Sequence, residues 1–332
     1  MQPHAVTQRP RFRFRSWLPG TLLVALLLVG YVKAQAIADW FRLYSYQPPA
    51  AVVALADQTT MTPKARHLFY INKPSIDEKT AFRSRCPDYG EKTIVLGCYQ
   101  GGQRGIHVLT VTDARLNGVE QVTAAHEMLH AAYDRLSGTE KTEVNRLLQD
   151  YADNQLKDER IKKVLQGYTQ TEPGQELNEM HSIFGTEITD LPAPLEDYYA
   201  RYFSNRTLVA QYAARYQAAF SSRQEQIAQY DRELKASNAR IQANLKQLES
   251  QQVVIEHEDK RLDGLRASGD YDAYNAGVAA YNQQIESYNA LLAATRADIE
   301  AYNKKVDVRN ALANETAQLT QAIDSSVLPK QQ

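Results

Sequence analysis

Residues 122–134 read Val-Thr-Ala-Ala-His-Glu-Met-Leu-His-Ala-Ala-Tyr-Asp, and the centre of that run, His126-Glu127-Met128-Leu129-His130, decides how the rest of the chain is read. Val122, Met128, Leu129 and Ala132 fall on helical spacing, with Gly138 as the expected stop. Two histidines four apart on a helix project from one face, at a separation that suits one metal ion. Glu127 lies on the same turn. There a carboxylate can take a proton from a metal-activated water and deliver it to a leaving amine. The pattern points to metal-assisted hydrolysis.

A zinc ion needs a third protein ligand and an open fourth position. Before the coiled region, the later helix that packs Glu and His among apolar residues is Gln175-Glu176-Leu177-Asn178-Glu179-Met180-His181-Ser182-Ile183-Phe184. Glu179 and His181 are two apart, so a helix points them in different directions. Spacing does not choose between them, and Glu176 and Glu187 stay open as well.

The pair His126 and His130, followed about 50 residues later by a helical Glu, resembles the gluzincin branch of the zincin metallopeptidases. The stretch Glu179-Met180-His181-Ser182-Ile183-Phe184-Gly185 is similar to the Glu-x-Asn-x-x-Phe-Ala pattern of small gluzincins. The resemblance implies His126, His130 and Glu179 as zinc ligands and Glu127 as general base. It puts His181 at the Asn-like position beside the ligands. It also implies that the strand Gly105–Val111 is the edge along which an extended peptide substrate lies. It covers residues 66–190 loosely and is specific at the two helical motifs alone. It assigns no transition-state-stabilising side chain, although Tyr198 and Tyr199 are near in sequence. Asn72, Cys98, Tyr99 and Thr123-Ala124-Ala125 look like parts of a bacterial membrane-protein family with the same motif, a likeness that implies no activity.

Around the motif, short strand and helix signals alternate. Residues 66–72 read as a strand stopped by Pro74. Residues 93–99 and 105–111 read as a hairpin around Gln100-Gly101-Gly102-Gln103-Arg104. Helices are expected at about 140–154, 156–167 and 173–184. Cys86 and Cys98 are the two cysteines, and their short spacing suits a disulfide in an oxidising compartment.

The N-terminus names that compartment. Arg9, Arg11, Arg13 and Arg15 precede a charge-free run from Ser16 to Val32 rich in Leu and Val. As a helix it would span about 25 Å, the lower limit for a hydrocarbon core of about 30 Å. The arginine excess puts the N-terminus in the cytoplasm and the bulk of the chain outside. The competing expectation is a secreted protein released by signal-peptide cleavage at Ala34-Gln35-Ala36; both export the rest.

From about residue 204 the pattern changes again. Ile227, Leu234, Ile241, Leu248, Ile255 and Leu262 recur every seven residues. After Ala267-Ser268-Gly269-Asp270 a second arm carries Tyr274, Tyr281, Tyr288 and Tyr302, interleaved with Val278, Ile285, Leu292, Ile299 and Val306. A seven-residue apolar repeat keeps one seam on a partner helix, so an antiparallel helical hairpin is expected.

The sequence therefore predicts an α+β chain: a small zincin-like domain of short antiparallel strands and active-site helices, then a long coiled-coil hairpin. The expected divisions are a basic tail at 1–16, an anchor at 17–34, the metallopeptidase domain at 35–203 and the hairpin at 204–326. With 332 residues, 38 Lys+Arg against 39 Asp+Glu and 43% apolar residues, the chain suits two globular-scale units and argues against a nucleic-acid partner. The expected function is an exported, membrane-anchored zinc metallopeptidase acting on a peptide or protein. Its arm would position substrate, engage a protein partner or self-associate. The competing expectation is a non-enzymatic, metal-stabilised surface adaptor acting through the coiled coil.

Overall fold

The computed structural model describes residues 34–86, 94–171 and 174–326; the basic tail and apolar run at the N-terminus lie outside the described residues. Among the described residues no helix is long and apolar enough to cross a membrane. The chain is mostly helical, with one small three-stranded sheet and a long helical hairpin. It divides into two compact units, one of residues 34–77, 97–108 and 123–208, the other of residues 78–96, 109–122 and 209–326.

The first unit opens with α1 (34–43), α2 (Ala50–Gln58) and α3 (Pro63–Ile71). The expected strand at 66–72 is thus a helix. Thr62 accepts a hydrogen bond from Ala65 N and Pro63 takes the first helical position, a start signal that outweighs the β-rich composition. Its buried residues, Ala65, Leu68, Phe69 and Ile71, follow helical spacing.

The sheet comprises β1 (Ser75–Asp77), β2 (Gly97–Gln100) and β3 (Gly105–Leu109). β2 and β3 form the expected antiparallel hairpin, with Cys98 opposite His107 and Tyr99 opposite Ile106. β1, which carries too few residues to show a pattern, takes the other side of β3, giving the order β1-β3-β2. This corrects one expectation. The strand after Gly105 is central, bonded to a neighbour on each side, so it is not the edge; β1 and β2 are the outer strands of this sheet. Cys86 and Cys98 form a disulfide.

Four helices complete this unit after α5 (Val119–Asp134), the helix of the His-Glu-x-x-His motif: α6 (Gly138–Asn154), α7 (Glu159–Thr171), α8 (Glu176–Glu187) and α9 (Ala193–Tyr199). Gly138 does not end α5; it starts α6. Ser137 and Glu140 form a reciprocal capping box at that point, so the signal read as a stop belongs to the next helix. The hairpin loop is tied to α5 by Tyr99, whose hydroxyl donates to Asp134 at 2.7 Å, and by Gln103, which donates to Ala131 O at 2.9 Å.

The second unit is built on α10 (Arg206–Ser268) from residue 209 and on α11 (Tyr271–Ile323), together with α4 (Lys79–Arg85). The two long helices run antiparallel within the chain, as the cross-pairs Arg240–Asp298, Lys305–Glu233 and Arg309–Asp231 require. They reverse where the sequence breaks its repeat. Gly269 adopts φ +82°, which a side chain resists, and Asp270 accepts from Ala273 N to start α11. Ile241, Leu248 and Leu262 are buried along the seam, whereas Ile299 is exposed and its neighbour Asp298 meets Arg240 instead. At the base, Leu116, Val119, Leu319 and Ile323 form a buried cluster with Tyr216 and Phe220 against it.

Candidate metal centre

α5 brings His126 and His130 to one face because they sit one helical turn apart, and their ring centroids are 4.7 Å from each other. α8 supplies Glu179 opposite them. Its Oε1 lies 3.4 Å from His130 Nε2 and its Oε2 lies 3.6 Å from His126 Nε2. One ligand atom from each of the three residues falls within 4.8 Å of the others, so the cluster can hold a metal ion. The side chain of His126 is the most open of the three, at 17% exposed against 11% and 8%, so the cluster faces out on that side.

The protonation pattern follows from the partners. His130 Nδ1 lies 3.0 Å from Asn178 Oδ1 and 3.2 Å from Ser182 Oγ. An amide oxygen only accepts, so Nδ1 carries the proton and donates to Asn178. Nε2 is then left with its lone pair turned toward Glu179, the tautomer a metal ligand needs. Asn178 is itself oriented by donating to Gln175 Oε1 at 3.3 Å.

Glu179 is 6% exposed, and its Oε2 has no hydrogen-bond partner. Burial pushes its carboxyl pKa up, but nearby His130 and His126 and the Tyr168 hydroxyl from α7 outweigh that and hold it below the ordinary carboxylate range. A buried carboxylate whose pKa is held down by its neighbours therefore faces both imidazole Nε2 atoms, at 3.4 and 3.6 Å. Such a grouping is costly unless a cation sits at its centre. The donor set of two imidazoles and one carboxylate fits zinc and other divalent ions that accept nitrogen and oxygen.

Glu127 follows His126 on α5 and is 6% exposed. It lies beneath β2 at Gly97. A Cβ at that position would fall 2.8 Å from Glu127 Oε1 and 2.4 Å from Thr123 Cγ2, so glycine is what lets the strand pass over the carboxylate.

Other residues raised by the sequence are elsewhere. Glu176 accepts from Gly174 N at 2.9 Å, and Glu187 pairs with Arg160 at 2.8 Å. His181 does not stand beside the ligands as its Asn-like position implied. The helix turns it 200° away from Glu179, into a cage of Tyr133, Tyr198, Tyr199 and Tyr202. Its Nε2 meets the Tyr198 hydroxyl at 2.8 Å, and complete burial drives its pKa well down, so the ring is neutral. Tyr198 and Tyr199 are core residues.

Asn178, Ser182, Gly97 and Tyr168 were not found by reading the sequence. Asn178 and Ser182 are four apart, so a helix carries them on one face, and both meet His130; that spacing was an available signal. Nothing local marks Gly97 or Tyr168. Comparison with protein-family models, curated proteins and solved structures found no match to this chain.

Proposed function

We propose that the chain is a membrane-anchored, exported metallopeptidase with a zincin-like site. The observation that supports it most is the convergence of His126, His130 and Glu179 around a buried carboxylate oxygen that lacks a partner. In this reading zinc is held by His126 Nε2, His130 Nε2 and a Glu179 oxygen. A divalent cation there supplies Lewis acidity toward a water and a substrate carbonyl. Glu127 takes the proton of the attacking water and returns it to the departing amine. Asn178 and Ser182 hold His130 in its ligating tautomer. The substrate is an extended peptide bound beside β2, above Glu127. The disulfide supports an oxidising, exported location, and the N-terminal arginines and apolar run support the tether.

The test is Glu127→Gln in the full chain, with bound metal measured by elemental analysis and cleavage followed on a peptide library. The expected outcome is metal retained and hydrolysis lowered by about 10²–10⁴-fold. Metal bound by the parent without cleavage of any peptide would overturn the peptidase and favour a metal-stabilised adaptor acting through the hairpin.

A further inference from the structure

An unusual surface lies on α1 and the turn that follows it. Ile37, Trp40, Phe41 and Tyr44 are 46%, 56%, 68% and 75% exposed, and their spacing of three, four and seven puts them in one stripe. The rings are mutually packed: Trp40 meets Phe41 at 4.9 Å and Tyr44 at 5.0 Å between centroids. A contiguous aromatic stripe left in water marks an interaction site rather than chance exposure.

The opposite face of α1 is fastened. Asp39 is 6% exposed and accepts from Arg135 Nη2 and Nη1, at 2.6 and 3.0 Å, and from His67 Nε2 at 3.1 Å. Arg135 immediately follows the helix of the metal ligands. The amphipathic order is thus inverted: the charged residue points inward and the aromatic rings point out. A polar clamp of this kind fixes the direction in which the stripe faces.

The occupant is indicated by what precedes the stripe. The charge-free apolar run ends at Val32, five residues before Ile37. Two extended residues and one helical turn cover roughly 10–12 Å. If the run spans a bilayer, this short reach lets the stripe lie in the headgroup layer, about 5–8 Å thick on each side of the hydrocarbon core, when α1 runs along the surface. Trp and Tyr are the side chains that such an interface accepts, an apolar body with a polar tip.

We infer that Ile37, Trp40, Phe41 and Tyr44 dock α1 onto the outer lipid–water interface, so that the bilayer surface is a second contact of this domain beyond the anchor itself. The inference rests on the membrane tether proposed above and is independent of the peptidase chemistry. Docking through a face clamped by Asp39 sets the orientation of the metal-site domain relative to the membrane.

The chain has two tryptophans, Trp17 and Trp40, so Trp17→Phe leaves Trp40 as the sole reporter. The full-length variant is reconstituted into phosphatidylcholine–phosphatidylglycerol vesicles whose acyl chains are brominated near the headgroup or near the methyl end, and the vesicles are floated on a gradient. The expected result is co-flotation with Trp40 emission shifted to the blue and quenched at least twofold by shallow bromines, more than by deep ones. Adding Phe41→Asp, at an exposed position, is expected to halve that quenching while flotation persists. Co-flotation with a solvent-like Trp40 overturns the docking and spares the tether. A blue-shifted Trp40 that bromines do not quench assigns the stripe to a protein partner or a second copy and overturns it as well. A chain that stays in the aqueous fraction overturns tether and docking together.

Discussion

The metal-site unit and the helical hairpin meet the same problem, polar groups inside a folded chain, in opposite ways. In the first, Arg206 is 4% exposed and is held by Glu196 and by the carbonyl oxygens of Ile188 and Thr189. In the hairpin, Arg240 forms an equally well-shaped bidentate pair with Asp298, but in water, on the helix surface. Geometry alone does not rank these pairs. What ranks them is what remains when one partner goes: buried carbonyls with no donor in the one case, solvated groups in the other. The largest expected effect breaks the comparison on this point. Arg206→Met should lower unfolding stability by about 3 kcal/mol, the low end for a broken buried pair because Glu196 is itself partly exposed. Arg240→Ala should leave the denaturant midpoint unchanged within error. Equal losses from the two would show that burial is not what separates the units.

The two regions were also unequally legible. A repeat of seven residues states the helix, its partner and the reversal at Gly269 at once, because each residue repeats information its neighbours carry. Ile299 is the exception that shows the limit. It keeps the repeat, yet it is 36% exposed, while Asp298 beside it pairs with Arg240 on the helix surface. The site unit has no such redundancy. His126, Glu127 and His130 are local to one helix and could be read; Glu179 needed a resemblance, because the contact between α5 and α8 spans 49 residues of chain. The strand expected at 66–72 failed because aromatic and branched residues suit either element, and a Thr-Pro start decided for helix. β3 was misplaced at an edge because three residues of β1 are too few to announce themselves.

A glycine substitution gives the next largest effect and probes how tightly the site is fitted. Gly97→Ala forces a methyl group to within 2.8 Å of Glu127 Oε1. Either β2 lifts or the carboxylate turns, and in the peptidase reading both misplace the general base. The expected outcome is a fall of about 10²-fold in kcat with bound metal unchanged. Full activity would mean that Glu127 has room to spare and that the strand above it is not part of the site. A smaller effect is expected one step back from the candidate metal site. Asn178→Ala removes the acceptor for His130 Nδ1 and leaves Ser182 as its remaining partner. Metal affinity should weaken by about tenfold, read by competition with a chelator, while far-ultraviolet circular dichroism stays constant. An unchanged affinity would show that Ser182 alone fixes the imidazole.

The smallest expected effect has the opposite sign, and it comes from the hairpin. Gly264 lies within α10, exposed, with nothing within 4 Å of where a Cβ would stand. In a helix interior glycine carries extra backbone freedom in the unfolded chain and offers no compensating contact, so Gly264→Ala should stabilise the hairpin by about 0.5–1 kcal/mol. The same chemical change, one methyl group, is therefore expected to impair function at Gly97 and to strengthen the fold at Gly264. The sign is set by occupied space at the first position and open space at the second. Thermal melts of the full chain, with metal content and peptide cleavage measured alongside, read both variants on one scale. If Gly264→Ala were destabilising, the arm near its turn would need the flexibility that glycine provides, and the picture of α10 as a uniform rod up to Ser268 would fail there.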